Sequence, residues 1–193
     1  IDLESSGNHQ YANNYAFQNS GLFTNNGTVT ITLAQDSESA GFAYGFNGML
    51  TEEEEPSTTL INSGTITVTA DGASVGNNVW AIYTQNSVRN SGTFSTNAAI
   101  YVNSIDGDGT WTLTGADTES TVLKNMIANT LNNAGTLTIN AADDLQNNQS
   151  LRITNINNSG TINTGSVYVA AGGQITNTGT INIVDSTDRI AMA

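Results

Sequence analysis

One motif recurs seven times along this chain, and it restricts the fold more than any other feature. Aligned on a glycine that precedes threonine, the copies fall at Gly27, Gly64, Gly92, Gly109, Gly135, Gly160 and Gly179. Two residues after each glycine stands a large apolar residue: Val29, Ile66, Phe94, Trp111, Leu137, Ile162 and Ile181. Four residues before it stands Phe23, Leu60, Val88, Ile105, Leu131, Ile156 or Ile175. Two residues before it the chain writes Asn25, Asn62, Asn90, Asn133, Asn158 and Asn177, with Gly107 as the one departure. A fixed template used this often marks a chain built from stacked copies of one unit.

Each copy reads as a bend followed by a strand. Asn and Gly tolerate left-handed backbone, so Asn-x-Gly is expected to turn sharply, with Gly135 and Gly160 at positive φ. The following TITVT or TLTIN alternates with period two, as a half-buried strand does. The glycine spacings are 37, 28, 17, 26, 25 and 19 residues. They exceed the roughly 8–12-residue spacing of a sandwich and suit one coil of a solenoid. The expectation is therefore an all-β parallel β-solenoid of seven to eight coils. Second strands are expected at 42–46, 79–83, 99–102, 122–127, 151–153 and 167–169. Stacking would place the apolar positions in internal columns and let the bend asparagines form an amide ladder. Residues 1–20 fit the template poorly and are expected to form an irregular N-terminal cap. The repeats occupy 21–184, with a loop insertion at 47–59, and 185–193 form a tail.

Charge narrows the function classes. Four Lys and Arg face 17 Asp and Glu, for a net charge of -13, which argues against nucleic acid and anionic membrane as partners. Only 11% of residues are charged, while 27 are asparagine, so neutral polar groups must keep the surface wet. There is no cysteine, which removes disulfides and thiolate chemistry. No apolar run reaches the ~18 residues of a membrane-spanning helix. The chain starts at Ile1 without a signal-like segment, as a mature or excised fragment would.

Residues able to do chemistry are sparse. His9 is the single histidine and has no sequence neighbours that would make it a catalytic base. Glu52–Glu55 form a charge run, but consecutive carboxylates in a loop do not converge on a cation. Asp106 and Asp108 sit at i and i+2 like half a calcium loop, without the later bidentate Glu. They also fill the bend of their own repeat, which accounts for them without a metal. Asp143 and Asp144 read as loop residues. Arg89, Lys124, Arg152 and Arg189 are scattered. No catalytic residue, metal or cofactor is expected, and the chain reads as a non-enzyme.

The stretches INNSGTI (156–162), ITNTGTI (175–181) and INSGTI (61–66) resemble the repeats of passenger domains of bacterial type V autotransporters and related large surface adhesins. The resemblance is one of repeat style and covers roughly residues 19–184. It implies a right-handed β-helix outside a Gram-negative cell and carries no universal catalytic motif. Passengers are usually longer and precede a membrane barrel, so the resemblance implies a fragment, or else a small secreted solenoid of another kind.

Three functions are expected from this sequence. The first is an extracellular adhesive or structural spacer binding glycans, cell surfaces or itself. The second is a filament protomer stacking head to tail through its end coils. The third is ice binding through an outward Thr-x-Thr array: Thr28/Thr30, Thr65/Thr67, Thr93/Ser95, Thr110/Thr112, Thr136/Thr138, Thr161/Asn163 and Thr180/Asn182.

Overall fold

The computed structural model describes residues 2–7, 14–19, 21–35, 43–48, 58–71, 79–114, 126–140, 151–165, 167–183 and 191–192. In chain order the strands are β1 (Asp2–Gly7), β2 (Asn14–Asn19), β3 (Phe23–Asn25), β4 (Thr28–Gln35), β5 (Ala43–Gly48), β6 (Thr58–Asn62), β7 (Thr65–Asp71), β8 (Val79–Thr84), β9 (Ser87–Asn90), β10 (Thr93–Thr96), β11 (Ala99–Gly107), β12 (Thr110–Thr114), β13 (Met126–Asn133), β14 (Thr136–Asn140), β15 (Leu151–Asn158), β16 (Thr161–Thr164), β17 (Val167–Asn177), β18 (Thr180–Ile183) and β19 (Ala191–Met192). Among the described residues there is no helix.

The strands form two sheets. One runs β1-β4-β7-β10-β12-β14-β16-β18, and the other runs β2-β5-β8-β11-β13-β15-β17-β19, with β3, β6 and β9 paired beside it. All of the pairings are parallel, from β1 with β4 to β16 with β18. Strands that pair with the equivalent strand one turn later define a parallel β-solenoid, here of eight coils counted along the first sheet. The antiparallel sandwich is excluded.

The first sheet keeps its register through the template. Val29 pairs with Ile66, Ile66 with Phe94, Phe94 with Trp111, Trp111 with Leu137, Leu137 with Ile162, and Ile162 with Ile181. Val29 through Ile162 in this column are at most 3% exposed. The residues four before each glycine form a second column, from Phe23 and Leu60 through Val88, Ile105, Leu131 and Ile156 to Ile175. A third runs Phe17, Phe46, Ile82, Ile100, Met126, Leu151 and Val167 on the second sheet. No coil can bury these side chains alone, because each covers the next.

The bends hold the coils in register. The Thr65 amide donates to the Gly27 carbonyl at 2.8 Å, Thr93 to Gly64 at 2.8 Å, Thr161 to Gly135 at 2.8 Å and Thr180 to Gly160 at 2.9 Å. A Cβ added to Gly160 would overlap the carbonyl oxygen of Gly135, and one on Gly135 would overlap that of Gly109. The glycines are needed because the neighbouring backbone lies against the space a side chain would fill. The expectation of positive φ is corrected: among the described residues only Gly107 (+135°) and Gly172 (+79°) adopt it, and no asparagine does.

The bend asparagines form the expected ladder. Asn25 Nδ2 donates to Asn62 Oδ1 at 2.8 Å and Asn62 Nδ2 to Asn90 Oδ1 at 2.7 Å. Asn133 continues to Asn158, and Asn158 to Asn177, each at 2.7 Å. The same Nδ2 groups also reach the threonine carbonyl of the next coil, as Asn62 does to Thr93 at 3.0 Å. Each Oδ1 can accept its own bend's glycine amide, as Asn62 does from Gly64. This spends most of the amide's hydrogen-bonding capacity, as its burial requires.

Three features of the sequence reading change. Residues 2–7 and 14–19 are strands in register with β4 and β5, so these described parts of the segment expected to be an irregular cap extend both sheets. The insertion is bounded by β5 and β6, whose ends take Asn47, Gly48, Thr58 and Thr59; the charge run Glu52–Glu55 lies outside the described residues. In the earlier coils the second side is two strands, β8 and β9, interrupted at Gln85 and Asn86. The nine-residue β11 pairs with both, and later coils keep the single long strand.

Ile162→Ala is expected to cost about 2–5 kcal/mol in urea unfolding. Gly160→Ala is expected to cost ~3 kcal/mol, because backbone must shift to admit the methyl group, while Ser159→Ala on the exposed bend stays within about 0.5 kcal/mol. Asn62→Ala removes a ladder rung and strips partners from Asn25 and the Thr93 carbonyl, for an expected loss of ~3 kcal/mol. A loss below 1 kcal/mol at Asn62 would show that the ladder does not hold the bends.

Candidate functional site

The template fixes what each bend shows to solvent. Two residues before the glycine, Asn25, Asn62, Asn90, Asn133 and Asn158 are buried in the amide ladder, and Asn177 ends it exposed. The residues three before and one before it stay on the surface and stack into outward columns. From the fourth coil on, the first of these columns reads Arg89, Asp106, Asn132, Asn157 and Thr176, in register through β9, β11, β13, β15 and β17.

Gly107 interrupts the buried ladder between these columns. Asn90 keeps the bond of its Nδ2 to the next coil's threonine carbonyl, Thr110 at 3.1 Å, but has no amide partner in the fifth coil. A Cβ at Gly107 would overlap the Asn90 carbonyl oxygen, so no asparagine fits there. A surface groove of about 480 Å³ lies along this corner. Arg89 stands at one end, Gly107 and Asp108 border it, and Asn132, Asn157 and Thr176 continue its wall.

The groove's amides are held in place. Asn157 Nδ2 donates to Asn132 Oδ1 at 2.8 Å, and Asn132 Nδ2 donates to Asp106 Oδ1. The other Asp106 oxygen accepts from Ser104 Oγ at 3.3 Å, and Ser104 Oγ lies within hydrogen-bond distance of Ser87 Oγ at 2.7 Å. Asp106 thus terminates an outer amide chain, and Asp108 is exposed on the bend. Among the described residues no group of three metal-ligating side chains surrounds them.

The Thr-x-Thr positions form two outward columns on the first sheet. Thr28, Thr65, Thr93, Thr110, Thr136, Thr161 and Thr180 stand in one, and Thr30, Thr67, Ser95, Thr112, Thr138, Asn163 and Asn182 in the other. Neither column holds a charge. Its last rungs use amide bonds, with Asn182 Nδ2 on Asn163 Oδ1 at 2.8 Å. The unequal coil lengths are absorbed elsewhere and leave this sheet unbroken.

A run of aromatic rings on the second sheet was not anticipated from the template. Tyr15 stacks on Tyr44 at 5.1 Å, Tyr83 stacks on Tyr101 at 5.1 Å, and Tyr44 meets Tyr83 at 5.5 Å. Trp80 packs edge-on against Tyr83. The available signal was the aromatic content of the second strands, YAF, AYGF, VWAIY and AIYV. Burial, then the neighbouring Tyr15 and Tyr83 phenols, push the Tyr44 hydroxyl from 10.0 up to about 12. Arg152 lies 5.6 Å from the centre of the Tyr168 ring. His9, Lys124, Asp143, Asp144 and Arg189 lie outside the described residues.

No protein-family model matches this chain, and neither do the curated proteins or the solved structures with which it was compared.

The raised Tyr44 pKa has a defined sign. The folded chain holds the phenol proton more tightly than the unfolded chain, so this stabilisation is intact below pH 10 and is lost as pH rises towards about 12. Denaturation midpoints measured across that window are expected to fall more steeply for the parent than for Tyr44→Phe. Parallel curves would show that Tyr44 is not the titrating group.

Proposed function

We propose that this chain is an extracellular, non-catalytic β-solenoid that serves as a rigid adhesive spacer on the surface of a Gram-negative bacterium. The observation that carries the proposal is the unbroken stacking. The first-sheet strands of eight coils share one register, with the seven bends tied by backbone bonds and a buried amide ladder interrupted at the fifth coil. At ~4.8 Å per coil they span about 34 Å along the axis, and each coil adds length without adding a new kind of contact. Such a chain holds its outward columns at fixed separations, as a multivalent contact surface requires. The sparse charge, the amide-rich exterior and the lack of cysteine agree with passage through an outer-membrane pore, and the resemblance to autotransporter passenger repeats supports placement outside the cell.

The Thr columns favour a second use, binding to ice. Threonines repeat at about 6.7 Å along a strand and ~4.8 Å between strands, a regular two-dimensional array of hydroxyl and methyl groups. Ice recrystallisation assays decide it: an active parent and an inactive Thr67→Lys variant would support ice binding, and an inactive parent removes it.

The adhesive proposal is tested with beads coated with the chain and applied to mammalian cell monolayers and bacterial lawns. Native coating is expected to raise retention severalfold over beads coated with heat-unfolded chain. Equal retention on both surfaces would overturn the adhesive function.

A further inference from the structure

We propose that the corner groove beside Gly107 binds a neutral, extended β-linked oligosaccharide laid along the solenoid axis. This rests on the adhesive function proposed above and names its ligand.

The groove's chemistry suits a chain of hydroxyl groups. Its wall carries the amides of Asn132 and Asn157 and the exposed Thr176, a mixture of donors and acceptors. The internal bonds of the outer column use one Nδ2 proton of Asn132 and of Asn157, and one lone pair of Asn132 Oδ1. Each amide therefore keeps a second N–H and acceptor capacity on its oxygen for a ligand. Because those internal bonds already fix the amide planes, little side-chain entropy remains to be lost on binding. Arg89 at the groove is outnumbered by Asp108 on its border and Asp106 beside it in the outer column, so the groove disfavours an anionic ligand.

Spacing selects among polymers. Equivalent groups recur once per coil, at ~4.8 Å, close to the length that one pyranose adds to an extended β-1,4-linked chain. Because such a chain turns over at each linkage, adjacent sugars present opposite edges to the amides of Asn132 and Asn157, and the same edge returns after two coils, about 9.6 Å. An extended peptide repeats its side chains on one face every ~6.7 Å and falls out of step. A nucleic acid would meet a chain of net charge -13 with no basic stripe. Gly107, standing where six other coils have asparagine and at φ +135°, borders the groove.

The test is calorimetric titration of the whole chain with β-1,4-linked glucose and N-acetylglucosamine tetrasaccharides, and with the curled α-1,4-linked glucose tetrasaccharide. Saturable binding of at least one straight tetrasaccharide, at least tenfold tighter than of the curled one, is expected. Two variants locate the site. Thr176→Trp fills the groove from an exposed position and is expected to weaken binding roughly tenfold or more, equivalent to about 1.4 kcal/mol, with an unchanged unfolding midpoint. Asn132→Leu removes ligand bonds and is expected to act in the same direction. No binding by the parent, equal binding of straight and curled sugars, or full binding by a folded Thr176→Trp variant would each overturn the proposal. Bead adhesion separates the two claims. Adhesion that survives in Thr176→Trp overturns the groove as the adhesive contact and leaves the adhesive function standing, whereas adhesion lost with sugar binding supports both.

Discussion

The structure depends on one close approach, in which the backbone of each bend lies directly on the backbone of the bend before it. A threonine amide bonds to the preceding coil's glycine carbonyl, and that contact leaves no room for a Cβ at the next glycine. Once the bends are stacked at that distance, the side chains beside them have no freedom of register. The asparagines fall within amide-bonding reach of one another, and the apolar residues two after the glycine fall into line. A one-residue slip would turn a whole strand inside out, so bend and core enforce the same alignment.

This arrangement explains how a chain with so few charges and such irregular coil lengths keeps a regular core. The first sheet keeps its register, and differences in length fall between β5 and β6 and between each first-sheet strand and the second-sheet strand after it, two residues between β10 and β11 against eleven between β12 and β13. Polar groups that would otherwise be costly inside are paired with their own repeats. Asn62 and Asn90 are fully buried, a burial that isolated amides would not tolerate. Outside, the same stacking turns scattered Thr, Asn and Tyr residues into columns, so surface patterns lengthen with each added coil.

Much of this was legible in the sequence because a stacked repeat converts position in the template into position in space. The alignment on glycine located Ile162 between Leu137 and Ile181, gave the core columns and anticipated the asparagine ladder. What could not be read depended on distances between coils. Glycine suggested positive φ because a single bend shows only its own dihedrals, whereas the Cβ clash at Gly160 comes from Gly135 in another coil. Residues 2–7 and 14–19 lack the motif yet pair in register, since strand pairing needs backbone and not Asn-x-Gly. The groove was marked only by Gly107 standing in an asparagine column, and its outward wall by residues the template left unassigned.

That same substitution breaks the amide-to-amide ladder on both sides of the fifth coil, between Asn90 and Gly107 and between Gly107 and Asn133. Phe94 and Trp111 face each other across the first of these gaps, with ring centres 4.8 Å apart, so there the coils lean more on apolar packing and on the single Asn90 bond to the Thr110 carbonyl. The two kinds of contact respond differently to temperature, because apolar association weakens on cooling. The rod is therefore not thermally uniform. Near freezing, the coils whose asparagines bond one another keep those cross-links while the contacts on either side of the fifth coil lose part of their cohesion, and cold, rather than heat, singles out this stretch of the axis as the place to yield.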